Sequence, residues 1–324
     1  GIAYPITDKG AIHFSYGHFL QIPSFELLYQ NPGYKVPATG SGNFGIYGNP
    51  DLKPQKTVMY ELGLKQQLGE SIGIDITGFY RDVRNWVGSS VPIETVGEGG
   101  QIVAGRTYTI YRNLDYANVR GITLTLSQVR SSTLTYSVDY TFQVAEGSNS
   151  DPGEEFGRRN DNAQPTQFIV PLNWDQRHTL NGTISFFKSG WAASLLGRYN
   201  SGLPYTPSVV RATTIGQNTN LAFSRNARNV PYFLVFDLRL SKSLRLAGMD
   251  IAVLFNVYNL LDRRNEINVY GDSGRSTTST TFTFARDATI SNNTAEEFLR
   301  QPDRFSEPRE LQLLGKGPNE VGKG

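Results

Sequence analysis

Runs of alternating apolar and polar residues recur along the chain, and the connections between them are by turns short and long. The clearest run covers positions 134–144. Leu134, Tyr136, Val138, Tyr140, Phe142 and Val144 share one parity, and Thr135, Ser137, Asp139, Thr141 and Gln143 share the other. Successive side chains of a strand point to opposite faces, so one face of this run is oily and the other polar. Val58, Tyr60, Leu62 and Leu64 stand against Thr57, Glu61 and Lys65 in the same way, with Met59 the exception. Ile72, Ile74 and Ile76 oppose Asp75 and Thr77, and Leu180, Ile184 and Phe186 oppose Asn181, Thr183 and Ser185. Leu234, Phe236, Leu238 and Leu240 oppose Asp237 and Arg239; Ile251, Val253, Phe255 and Val257 oppose Asp250 and Asn256. A helix would lose this phase within one turn.

Short connections fall at 7–10, 69–71, 129–132, 188–190 and, slightly longer, 241–248, while polar segments rich in Gly, Pro, Asn and Ser occupy 21–55, 88–106, 145–174 and 201–229. The spacing is about 60 residues, the length of two strands of about ten residues, a tight turn and a long loop. Loops this long are uncommon in compact soluble domains and carry function or disorder. The rhythm predicts an all-β fold, an antiparallel up-and-down transmembrane β-barrel in an outer membrane, with lipid against its oily face. About 12 strands are expected, at 1–6, at nine places up to 258, at 277–284 and at 309–314.

Composition alters this picture little. The chain has 324 residues, 12% aromatic and 19% charged, with 33 glycines. Its polar average hydropathy is compatible with a barrel, which hides only every second residue in lipid. No apolar stretch approaches the roughly 18 residues of a spanning helix. A net charge of +2 without a basic cluster gives no reason to expect a nucleic-acid partner. The absence of cysteine excludes disulfides and thiolate metal sites.

Several segments, in order, resemble a known family. Asn49-Pro50-Asp51-Leu52-Lys53-Pro54, then Tyr60-Glu61-Leu62-Gly63 and Gly78-Phe79-Tyr80, are similar to the NPxLKP, YELG and FY motifs of TonB-dependent outer-membrane receptor barrels. Asn113 through Gly121, Asp175-Gln176-Arg177-His178, Ser201-Gly202-Leu203-Pro204-Tyr205-Thr206-Pro207 and Asn256-Val257-Tyr258-Asn259-Leu260-Leu261-Asp262 resemble later segments of the same barrels, as do Val269-Tyr270 and Gly274-Arg275. The resemblance is to the C-terminal half of such a barrel, in receptors that carry a carboxypeptidase-regulatory-like domain.

It implies a 22-stranded barrel filled by an N-terminal plug. It also implies coupling to TonB through the N-terminal part and uptake of a ligand that the residues do not identify. No plug or TonB box is recognisable, and the segment after Leu314 departs from the family's aromatic-ended last strand. The expected organisation is therefore a partial receptor barrel over 1–315 followed by an atypical tail at 316–324, not a transporter by itself. A self-contained 12-stranded channel or enzyme, a non-functional receptor fragment, and a soluble β-sandwich, propeller or adhesin module are the alternatives.

Candidate chemistry is sparse. His13, His18 and His178 are too scattered for a zinc site. Asp151, Glu154, Glu155 and Asp161 lack the spacing of a calcium loop, and Gly97-Glu98-Gly99-Gly100 lacks the Lys-Ser/Thr of a phosphate loop. No catalytic residue, metal or cofactor is assigned. Tyr80, Trp86, Trp191, Tyr199, Tyr205, Tyr258 and Tyr270 are expected at the headgroup level. Phe25, Tyr29, Tyr34, Phe44 and Tyr47 are candidates for the ligand mouth. Asp75, Arg120, Asp139, Arg198, Asp237, Arg239 and Asp250 are expected to face the lumen, where mixed charge would solvate the wall and meet the plug.

Overall fold

The computed structural model describes residues 1–31, 42–97, 99–128, 131, 133–160, 168–207, 210–212, 218–220 and 224–279. Its strands begin with β1 (Ile2–Thr7), β2 (Gly10–Gln21), β3 (Gly42–Tyr47), β4 (Gln55–Leu68), β5 (Ile72–Ser89) and β6 (Ile93–Val96). They continue with β7 (Ile102–Gln128), β8 (Leu134–Gly147), β9 (Val170–Pro171), β10 (His178–Lys188), β11 (Trp191–Asn200) and β12 (Pro204–Tyr205). The last are β13 (Val210–Ala212), β14 (Asn218–Asn220), β15 (Arg228–Asn229), β16 (Phe233–Leu246) and β17 (Met249–Val257). Two short helices, α1 (Phe25–Tyr29) and α2 (Glu154–Asn160), lie in long connections.

The long strands form one antiparallel meander in the order β1-β2-β4-β5-β7-β8-β10-β11-β16-β17. Opposed residues of an antiparallel pair project from the same face, so a row can be followed across the sheet. One row runs Ile12, Leu64, Ile76, Leu124, Tyr140, Leu180, Tyr199, Leu234. The neighbouring row of opposite parity runs Ala11, Lys65, Asp75, Thr125, Asp139, Asn181, Arg198, Val235. A slip of one residue at any pair would swap the two faces. The apolar face is bare: Leu62 is 59% exposed, Ile122 52% and Ile184 48%. Such a surface is far larger than a water-soluble monomer leaves uncovered, and the oily rows are not folded into a dry centre.

The ten expected strands up to 258 are all present. Strands expected at 277–284 and 309–314 fall outside the described residues, except 277–279, which form no strand. The turn at 129–132 is also largely outside them. Two expectations are corrected. Positions 241–248 are not a loop: Ser241, Ser243 and Arg245 continue the polar parity of β16, and the turn shrinks to Ala247 (φ 50) and Gly248 (φ 82). Both φ values are positive, as the tight hairpin turn that suits strand twist requires, and Ser189 (φ 50) with Gly190 (φ 75) repeats it. The segment 88–106 is not an irregular loop either. β5 and β7 overshoot the neighbouring strands and, with β6, form a projecting ribbon whose glycine-rich tip turns at Gly99 (φ 108) and Gly100 (φ 80).

Among the described residues β1 and β17 each pair on one side only, so the sheet has two ends. Among the described residues, buried apolar side chains are confined to the long-loop end. Ala117, Val119, Ala145 and Leu172 form one cluster, flanked by Phe79, Val83 and Trp86. Leu28, Ile46, Leu52, Val87 and Tyr111 form another. Trp86 thus packs under the loops rather than at the headgroup level.

Two glycines test the register. A Cβ at Gly121 would lie 2.2 Å from the Phe142 carbonyl oxygen, whereas one at Gly78 meets nothing nearer than 3.9 Å. Gly121→Ala should lower stability by about 1–3 kcal/mol through overpacking, and Gly78→Ala should change it negligibly. Denaturant titration of the detergent-solubilised protein, followed by tryptophan fluorescence, measures both.

Candidate ligand mouth and polar wall

The long connections are tied down by short polar motifs at the sheet edge. Asn49 donates through Nδ2 to the Tyr111 carbonyl (2.9 Å) and accepts from the Asp51 amide (3.0 Å), which turns the chain so that Leu52 enters the buried cluster. Asn113 accepts from the Lys53 amide at 2.9 Å and donates to the carbonyls of Lys53 (3.0 Å) and Asn85 (2.7 Å), which fastens the loop's return to β7. Fully buried Asp175 accepts from the Ala145 amide at 2.7 Å and from Arg177 Nε at 2.6 Å, fixing the chain before β10. Gly202 lets Val230 approach where any Cβ would collide with its carbonyl.

Above these anchors the loops join. Arg225 is buried and donates to the Ser148 carbonyl (2.9 Å), Asn149 Oδ1 (2.9 Å), Ser150 Oγ (3.2 Å) and Glu154 Oε2 (2.6 Å). Asn226 adds a bond to the Pro171 carbonyl at 2.7 Å. Asp115 on β7 accepts from Ser148 Oγ (2.8 Å) and Asn149 Nδ2 (3.0 Å). The connections after β8 and after β11 are thereby held to each other and to the β5–β7 ribbon. Sequence reading missed Arg225, because a lone arginine in a polar loop carries no periodic or spacing signal. Glu154, expected in a solvated acidic loop, instead pairs with this arginine. Tyr111 lies in the loop-end cluster with its hydroxyl on Gln30 Oε1 at 3.1 Å. Burial, then the charges of Asp151 and Glu26, push its pKa above the ordinary tyrosine value.

The mouth candidates divide. Phe25 (77% exposed) and Tyr29 (53%) sit one helical turn apart on α1 with stacked rings, centroids 6.4 Å apart, open to solvent. Phe44 and Tyr47 lie on β3 and are engaged, Phe44 under Arg106 and Tyr47 edge-on to Tyr108. Tyr34 lies outside the described residues.

On the polar face Asp75 pairs with Lys65 at 3.3 Å, and Asp139 accepts from Thr125 at 2.8 Å. Arg198 lies across Asn181 from Asp139, and together with Asp237 these residues border a cavity of about 330 Å³. Asp237 also caps the chain after β17 by accepting from the Asn259 amide at 2.9 Å. Arg239 shares the polar parity, opposite Ser194 and Asn256. Asp250 has that parity but sits at the turn rim, exposed and paired with Arg245 at 3.2 Å. Arg120 departs from expectation: it opposes Tyr80 and Val144, so it stands on the apolar face. Its sequence neighbours mislead because the charge falls on the oily parity of β7, where the strand leaves the apolar rows.

The histidines are apart. His18 meets the Tyr16 hydroxyl at 2.5 Å, His178 meets that of Tyr140 at 2.8 Å, and His13 lies against Thr77 on the polar face.

A family model described as TonB dependent receptor-like, beta-barrel matches residues 1–260. The iron-regulated outer membrane virulence protein of Vibrio cholerae is 28% identical over 141 residues, which cover 44% of this chain and 21% of that protein. The outer membrane transporter YddB of Escherichia coli superposes with a TM-score of 0.53 at 14% identity, covering 79% of this chain and 35% of that one. A variant of the ferric enterobactin receptor PfeA of Pseudomonas aeruginosa gives 0.54 at 16% identity, covering 82% and 34%. The chain therefore spans about a third of these solved structures, and its matched part about a fifth of the curated relative.

Replacing Arg225 by Leu should leave the Ser148 carbonyl and Asn149 Oδ1 without this donor and release the two loops from each other, a loss of about 1–3 kcal/mol. Limited proteolysis should then cut within the 148–177 or 201–232 connections at least about tenfold faster, with the strand content by circular dichroism unchanged.

Proposed function

Because the chain belongs to the TonB-dependent receptor-like β-barrel family, we propose that it forms part of the wall of an outer-membrane receptor for energy-coupled uptake of a large or scarce ligand, chelated iron being the favoured class. The observation that carries this is the ten-strand meander with a continuous apolar band across one face, matched by the family model through residue 260. The choice of iron takes up the words iron-regulated in the name of the Vibrio relative, and it selects the chelate used in the uptake test. In this reading the polar row of Asp75, Asp139, Arg198, Asp237 and Arg239 lines the lumen and meets a plug, and TonB acts through the receptor's N-terminal part. The remaining strands of a 22-stranded barrel complete closure. The two sheet ends left unpaired among the described residues and the one-third coverage of solved relatives support partial status. No step of catalysis is assigned; recognition and passage suffice.

Phe25 and Tyr29 are the mouth residues the geometry favours, since their paired rings are open while Phe44 and Tyr47 are already engaged. Stacked aromatics offer a flat, rigid surface to a planar chelate at low entropic cost.

Refolded in detergent and added to planar bilayers, the 324-residue chain should give no defined conductance step; a reproducible single-channel step would identify a self-contained barrel instead. In cells making the intact receptor, uptake of radiolabelled iron chelate should stop on adding a protonophore. The Phe25→Ala/Tyr29→Ala pair should weaken chelate binding about tenfold without altering heat-modifiable gel migration.

A further inference from the structure

Arg120 is a cation on the oily side of the sheet. Gly78 lies in the apolar row Phe14, Leu62, Gly78, Ile122, Phe142, and its missing side chain opens a furrow of about 530 Å³. Leu62, Ile122 and Phe142 wall the furrow, Tyr60 and Tyr80 flank its loop end, and Arg120 closes it. Arg120 sits one apolar-face row above Gly78, about 7 Å along the strand. The next row on this face carries Asp82, Asn118 and Glu146, and the row after that Lys56 and Arg84. Hydrocarbon therefore ends and charge begins between Gly78 and Arg120.

A guanidinium facing acyl tails is costly unless it reaches the headgroup layer. Here it is oriented: Arg120 donates to Asn118 Oδ1 at 2.5 Å and to Glu146 Oε2 at 3.0 Å, while 48% of the side chain stays exposed. With five donors a guanidinium keeps capacity beyond two bonds, and its planar fork matches a phosphate. Lys56, Arg84 and Arg120 face two carboxylates, Asp82 and Glu146, so the strip keeps an excess of positive charge.

The geometry points to a binding site for a phosphorylated acyl lipid of the surrounding leaflet, with one chain lying over Gly78 and the phosphate held by Arg120. The furrow accounts for the chain and the charge for the headgroup. A headgroup girdle alone requires only the tyrosines, not a cleft beneath an arginine.

The intact receptor in non-ionic detergent is titrated with dioleoyl phosphatidic acid, with dioleoylglycerol and with inorganic phosphate, and bound species are counted by native mass spectrometry. Phosphatidic acid should bind at least about tenfold more tightly than either of the others. Arg120→Gln and Gly78→Leu should each weaken it about tenfold, the loss expected for a charge-assisted contact or a filled cleft. Gly78→Leu is the decisive variant, because a Cβ there meets no close neighbour and the added side chain suits a lipid-facing strand. Should Arg120→Gln not fold, Gly78→Leu alone decides the matter. Equal retention of phosphatidic acid by the parent and Gly78→Leu overturns the proposal. So does inorganic phosphate binding as tightly as the lipid, which would mark a free-anion site.

Discussion

A backbone amide or carbonyl in hydrocarbon has no water to bond, so each strand that crosses must pair with a neighbour along its length. From β2 to β16 the meander meets this condition without a gap in the apolar zone, and within the hairpins β1–β2, β4–β5, β10–β11 and β16–β17 the register is set by turns of two or three residues. Every side chain is then assigned to lipid or to the polar side by parity alone. That is why one row of eight residues from Ile12 to Leu234 is apolar or aromatic throughout, while the adjacent row holds lysine, aspartates, asparagine and arginine.

Beyond the hydrocarbon the constraint relaxes, and the chain uses side chains to fix what the ladder no longer fixes. β5 and β7 overshoot as a ribbon, with the register shifting at Val83 and Trp86. Asn49, Asn113, Asp175, Gly202 and Asn259 anchor the points where loops leave and return. These residues belong to the segments by which the chain resembles its family, and their bonds give that resemblance a structural role: they hold the ends of the loops to the sheet. Arg225 adds a buried ionic lock between loops. The proposed ligand mouth lies between the anchors, where the stacked rings of Phe25 and Tyr29 are open.

The boundary between these zones is itself visible in the side chains. Tyr16, Tyr60 and Tyr80 form a row with Arg120; carboxylates begin one row above and further cations two rows above. At the opposite end Lys242 sits over Trp191, centroid distance 4.8 Å, beside a two-residue turn. Aromatic rings with polar tips and long cationic stems tolerate a gradient from oil to water that neither leucine nor aspartate does.

Alternation located the ten strands of the meander and their two faces, because a period of two is local information that survives without knowing any partner, and the short connections between them set their order. It also determined the side on which Asp75, Asp139, Arg198, Asp237 and Arg239 stand. Pairing decided what parity within one run could not. Arg120 belongs to the oily face only once Tyr80 and Val144 are placed opposite it. The polar residues of 241–246 become strand only because β17 lies alongside. Trp86 goes under the loops because the register shifts there. The cluster around Arg225 joins residues more than 70 positions apart, a separation at which no sequence period operates and only the folded sheet brings the partners into reach.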